Sequence, residues 1–208
     1  PTDVLEQTVT WCRRALILTD PLITRRDIIA TKVRLSPSPF EWVIQDDRYR
    51  KWLDSSKKRD RDRGSQLLWI SGTLGTDTTM LSVFLTEELE KHTAVAENAE
   101  LVFFFYNSKY RSEPRVTNRS NTSTLMLYGL IGQIVTKRPE LSQHLYGNLE
   151  RLNKMQENLE AAQRSEGIFE ETPEMSAFML DIFCTLIRAP GLGTMFCVIE
   201  GFGDCDRS

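Results

Sequence analysis

An apolar run, Leu67-Leu68-Trp69-Ile70-Ser71, stops at Gly72, and the eight residues Gly72 to Thr79 separate it from a helical pattern opening at Met80-Leu81. Strand, glycine-bounded loop, helix is the order of a phosphate-binding loop, and it points to an α/β layer architecture. In the pattern G-x-x-x-x-G-K-[ST], the glycines let backbone N–H groups curl around a phosphate. The lysine reaches the outer phosphates, and the hydroxyl holds Mg²⁺. Gly72 and Thr79 fit this pattern. Asp77 replaces the last glycine and Thr78 replaces the lysine.

Both departures oppose nucleotide binding. Thr78 removes the main cationic contact, and Asp77 sets a carboxylate beside a polyphosphate. Like charges about 5 Å apart at an effective dielectric near 20 repel by roughly 3 kcal/mol, around two decades of affinity.

The remaining pattern supplies an α/β chain. Residues 4 to 18 read as a helix stopped by Thr19-Asp20-Pro21. Ser38-Pro39-Phe40-Glu41 is a capping box with proline at the first helical position, opening a helix over about 39 to 53. Lys57 to Arg63 is a charged linker. After the loop, Met80, Leu81, Phe84, Leu85 and Leu89 recur at helical spacing through about His92, a residue suited to a helix C-terminus. Leu101 to Tyr106 reads as a buried parallel strand, since it is continuous, aromatic and without alternation. Asn107 to Asn121 is turn-rich loop. Helices follow over about 122 to 137 and from Pro139 towards Lys154, and Glu157 to Thr172 reads as loop. Thr172 then caps a helix whose first residue is Pro173 and which ends at Ala189-Pro190-Gly191. A third strand, Met195 to Ile199, runs into Glu200 and Asp204. A carboxylate at a strand's C-terminal end is placed to orient Mg²⁺ and water, so these two acids are the candidate metal and catalytic-type residues.

Composition narrows the function classes. The chain has 208 residues, 40% hydrophobic and 26% charged, enough for one core of moderate size. A net charge of −3 gives no global pull towards nucleic acid or an anionic membrane. Cys12, Cys184, Cys197 and Cys205 form no C-x-x-C pair, and His92 and His144 lie far from them in sequence, so zinc and redox motifs are unsupported. There is no apolar run of membrane-spanning length and no signal-peptide pattern. The expectation is a reduced, cytoplasmic setting in which the sequons at Asn118 and Asn121 are coincidental. Pro1 in place of a methionine suggests a piece of something longer.

Taken together, the motifs resemble the NACHT-type nucleotide-binding domains of large fungal NOD-like (STAND) proteins, also described as nephrocystin-3-like N-terminal domains. Thr19-Asp20-Pro21, Thr31-Lys32 and Phe40-Glu41-Trp42-Val43-Ile44 with a later Trp52 resemble that family's segment before the domain. Leu68-Trp69-Ile70-Ser71-Gly72 is similar to its L-W-I-x-G, and Gly75, Thr79, Met80 and Leu81 match its loop G-x-P-G-x-G-K-T-M-L. Phe103-Phe104-Phe105 is similar to its second strand. Gly129-Leu130-Ile131 followed by Arg138-Pro139 looks like R-G-L-I with a later R/Q-P, Tyr128 replacing the arginine. Val198 to Cys205 corresponds to I-I-D-A-L-D-E-C, with Glu200 for the first aspartate, Gly203 for the second acid and Asp204 for the glutamate.

The resemblance implies a P-loop NTPase-like three-layer sandwich, a parallel sheet flanked by helices and incomplete at the C-terminus. The expected division is a helical segment and linker over 1–63 and a partial NACHT domain over 64–208. It also implies phosphate contacts from Gly72, Gly75, Thr78 and Thr79, and Mg²⁺ contacts from Thr79 and Glu200. Asp204 is the one catalytic-type candidate. The family's sheet order, 5-1-4-3-2, would leave a lane between residues 67–71 and 195–199 for a strand beyond Ser208. Framework residues persist while phosphate and metal groups do not. The expectation is therefore a non-catalytic interaction or signalling module, its partners proteins or further domains of the same protein. The rivals are a STAND switch that binds ATP or ADP with Mg²⁺ weakly, and a nonfunctional fragment.

Overall fold

A computed structural model of the chain describes residues 6–8, 10–11, 20–31, 40–55, 66–72, 77–106, 122–164 and 171–202. Its helices are α1 (Pro21–Thr31), α2 (Glu41–Gln45), α3 (Asp47–Ser55), α4 (Thr78–Val95), α5 (Ser123–Lys137), α6 (Leu149–Arg164) and α7 (Pro173–Ile187). A 3-10 helix, Pro139–Asn148, joins α5 to α6, and the strands are β1 (Ala99–Phe105) and β2 (Thr194–Glu200). The strands pair in parallel, from Ala99 opposite Thr194 to Phe105 opposite Glu200. A parallel pair requires a long crossover, and α5, the 3-10 helix, α6 and α7 supply it.

Alternation along the strands sends side chains to two faces, both covered over β1, while Ile199 of β2 stays exposed. Leu101, Phe103 and Phe105 of β1 and Phe196 of β2 pack with Val83 and Leu89 of α4, and Ile28, Ile29, Trp52 and Leu53 of α1 and α3 close the same layer. Arg25 of α1 lies over the Phe103 ring at 4.8 Å and binds Glu90 of α4 at 2.8 Å. On the opposite face Val102, Phe104 and Tyr106 enter the largest core cluster, with α5, the 3-10 helix, α6 and α7. The chain's first described residues join this cluster through Trp11, whose ring sits 5.4 Å from that of Tyr128 in α5. Burial holds the Tyr128 phenol well above the usual tyrosine value, partly offset by the Trp11 indole facing its oxygen.

The free edge of β1 is covered by side chains of α5. Gln133 accepts from Phe103 N at 3.2 Å and donates to Phe103 O at 3.0 Å, and the Lys137 ammonium donates to Leu101 O at 2.7 Å. An edge strand otherwise presents unpaired N–H and C=O groups. Here two side chains answer them.

Several expectations are corrected. Residues 67–71 are not a strand: 66–72 carry neither helix nor strand, and the sheet has two strands. Leu68 and Ile70 do pack inward, against the cluster of Phe40, Val43, Met80 and Phe84, while Leu67 and Trp69 are 86% and 72% exposed. The alternation of a strand is therefore present, and among the described residues no neighbouring strand pairs with it. Asp20-Pro21, read as the stop of a preceding helix, also starts α1, which the sequence reading did not expect; the end of the preceding helix lies outside the described residues. The Asp20 carboxylate accepts from Leu22 N at 2.9 Å, and proline suits the first turn.

The helix expected over 39–53 breaks at Asp46, whose extended backbone ends α2. The Asp46 carboxylate accepts from the N–H and guanidinium of Arg48, which hold it down at about 2. Residues 157–164, expected as loop, continue α6, because Gln, Glu, Ala and Arg favour helix even without an apolar face. The capping serine Ser38, most of the helix expected over 4–18, the linker 57–63 and the loop 107–121 fall outside the described residues.

Candidate functional site

β2 ends at Glu200 and α4 begins at Thr78, so the acid and the loop hydroxyls meet where strand end faces helix start. The Thr79 hydroxyl donates to Glu200 Oε1 at 2.8 Å in partly buried surroundings, joining residues 121 apart in sequence. Glu200 is anchored from behind by its own backbone, since its carbonyl accepts from Tyr106 N at 3.0 Å just past β1. Phe202 follows, stacked edge-on against Tyr106 at 6.3 Å.

Asp77 is the N-cap of α4. Its side chain accepts from Met80 N at 3.0 Å and its backbone carbonyl accepts from Leu81 N at 3.0 Å. A helix N-terminus leaves N–H groups without intrahelical partners and carries partial positive charge, so a carboxylate there is doubly favourable. One of the amides a phosphate would seek is therefore already bound by an acid of the same chain. Thr78, in the lysine's place, is the first helical residue.

Of the residues expected at the site, the structure brings Thr79 and Glu200 into direct contact and sets Thr78 beside them. Gly72 lies exposed at the end of the unpaired 66–72 segment. Gly75 and Asp204 fall outside the described residues. Among the described residues no cluster of three or more His, Cys, Asp or Glu is arranged to hold a metal ion, and no helix is long and apolar enough to cross a membrane.

A second polar centre went unnoticed in the sequence. Glu171 Oε1 accepts from Ser123 Oγ at 2.7 Å, Thr124 N at 2.9 Å, Thr124 Oγ1 and Ser176 Oγ, so one carboxylate joins the N-terminal turns of α5 and α7. Burial pushes its pKa up, but the Ser176, Thr124, Ser123 and Thr122 hydroxyls outweigh it, and the net direction is down. The available signal was the run Thr122-Ser123-Thr124, a concentration of donors that a buried helix start must pair with an acceptor.

These elements fall within one family match. A model described as Nephrocystin 3, N-terminal, matches residues 39–208, which include Asp77, Thr78, Thr79 and Glu200. The chain belongs to the nephrocystin-3 N-terminal family. It is also similar to the Vegetative incompatibility protein HET-E-1 of Podospora anserina, a fungal NACHT/NOD-like protein, at 27% identity over 194 residues. That alignment covers 93% of this chain and 12% of the relative, so the chain spans a small part of the relative's length. No solved structure matches the chain. For this member of the family the architecture is a helix-rich α/β arrangement around a two-stranded parallel sheet.

Proposed function

We propose that this chain is a NACHT-type domain with a P-loop NTPase-like frame that serves signalling as a non-catalytic interaction module. Its relation to a fungal NACHT/NOD-like protein supports the signalling role. The observation that carries the non-catalytic reading is the Asp77 carboxylate on Met80 N–H. A nucleotide phosphate at that helix start would have to displace a tethered anion and then lie beside it, at a repulsion of roughly 3 kcal/mol.

Nucleotide does not fit the residues present. Thr79 and Glu200 are hard oxygen donors of the kind Mg²⁺ takes, but Mg²⁺ is held in such sites jointly with substrate phosphates, and Thr78 supplies no cation for those. The Thr79–Glu200 hydrogen bond instead ties helix start to strand end with the protein's own atoms. The partners of such a module are other proteins or further domains of the same protein, in a cytoplasmic setting.

Calorimetric titration of the purified chain with Mg-ATP and Mg-ADP tests the reading. Binding no tighter than about 100 μM is expected from the two-decade electrostatic cost. A low-micromolar constant overturns it.

A further inference from the structure

α7 is apolar around most of its circumference. Phe178, Met179, Ile182 and Leu186 are buried in the largest core cluster. On the far side Ala177, Leu180, Cys184 and Ile187 follow one another at the alternating three-and-four spacing of a heptad seam, and none of them enters a core cluster. Leu180 is 52% and Ile187 39% exposed, Ala177 is exposed and Cys184 half-buried. A helix with one covered face carries polar residues on the other, whereas one that is apolar on both is covered on both. Beside the seam runs a strip of exposed polar residues, Glu174, Asp181 and Thr185, which ends at Arg188.

The seam fits itself. Laid antiparallel about a two-fold axis at its midpoint, Ala177 faces Ile187 of a second copy and Leu180 faces its Cys184, so every layer sets a small side chain against a large one. A parallel pair would stack Leu180 on Leu180 and Ala177 on Ala177, one layer overfilled and the next underfilled. Antiparallel pairing also brings Glu174 to the side of Arg188 in the other copy, twice in the dimer, against one Asp181–Asp181 repulsion near the axis. Charge and packing thus favour the same direction.

We propose that the outer seam of α7 is a homotypic docking surface, through which a second copy of this chain binds as an antiparallel helix pair. Four apolar side chains per copy make a small interface, so the pair is weak and governed by concentration, with a Kd on the order of 100 μM. Such a contact forms where copies are already held close together, since a tether raises their effective concentration to the millimolar range.

Sedimentation velocity of the full chain, from about 10 μM to 1 mM, tests this across the expected constant. The weight-average mass should rise from one chain towards two. Leu180→Glu and, independently, Ile187→Glu should each weaken association at least about tenfold by setting an unpaired charge in the seam, with little change in thermal melting because both positions are exposed. Arg188→Glu should weaken it about fivefold, and Asp181→Asn should strengthen it about threefold. Leu180→Cys, oxidised with copper phenanthroline, should cross-link to Cys184 of the second copy. A chain that stays monomeric throughout leaves the seam to a helix of another protein and overturns the proposal. Association that survives both glutamate variants lies on another surface and overturns it too. Cross-linking between the two substituted positions, or charge variants that move the constant in the opposite directions, would overturn the antiparallel pair equally.

Discussion

The Thr79 hydroxyl rests on the Glu200 carboxylate at 2.8 Å, closing the first turn of α4 onto the end of β2. A hydrogen bond to a charged acceptor in partly buried surroundings contributes about 1.5–3 kcal/mol. A double-mutant cycle of Thr79→Val and Glu200→Gln, followed by urea unfolding, should therefore give a coupling energy of about 1 kcal/mol or more. Strict additivity of the two substitutions would show that the bond does not form in solution.

Asp77 leads to paired expectations of opposite sign. Asp77→Ala strips the cap from α4 and should lower stability by about 1 kcal/mol. Asp77→Gly with Thr78→Lys frees the Met80 amide and restores a cation, so Mg-ATP affinity measured by calorimetry should rise by at least about tenfold, offsetting roughly half the repulsion. If the double variant gains no affinity, the segment from Gly72 to Thr79 is not a phosphate loop.

Glu171 should give the chain part of its acid sensitivity. Its pKa in the folded chain lies below the ordinary value of 4.5, so the folded state binds its proton less readily than the unfolded state. Its contribution is complete above that ordinary value and is lost as pH falls through the lower, folded value. Glu171→Gln should flatten this acid limb in thermal melts taken over about pH 5 to 2, and should cost on the order of 1–3 kcal/mol at neutral pH. An unchanged acid limb would place the sensitivity elsewhere.

Gly193 and Gly191 make a controlled comparison just before β2. Both have positive φ, +75° and +93°. A Cβ on Gly193 would meet the Asn98 carbonyl oxygen at 2.1 Å, whereas one on Gly191 would meet nothing within 4 Å. Gly191→Ala should cost about 1 kcal/mol from backbone strain alone, and Gly193→Ala at least about 3 kcal/mol. Asn98 O also receives Thr194 N, the first rung of the sheet, so the second substitution should lower protection along β2 as well. Equal costs for the two would refute the close approach.

The elements that were legible in the sequence are those whose pattern is complete locally. α4, β1, α5, α7 and β2 carry their own caps or continuous apolar runs, and their bounds fall within a few residues of expectation. Residues 67–71 were misread because pairing is a property of the sheet and not of the segment: Leu68 and Ile70 point inward as a strand's would, yet no described strand lies alongside. Asp20-Pro21 suits a helix start as well as a stop, and the contact to Leu22 shows the start that the pattern alone did not. At the site, Thr79 and Glu200 were named from motif order. The role of Asp77 as a cap needed the helix start to be seen. Glu171 was invisible because its donors lie up to 53 residues from one another along the chain, from Ser123 to Ser176.

Gln133 and Lys137, seated on the outer edge of β1, give the sheet a direction of growth. In a parallel pair alternate residues of each strand turn their backbone groups to opposite sides. Thr194 and Glu200 bond towards β1, so Met195, Cys197 and Ile199 turn theirs the other way, where no described strand is paired. One margin is sealed by an amide and an ammonium, and on the other no described strand is paired. Among the described residues, the side left to a further strand is the one beside β2, next to the Glu200 end that meets α4.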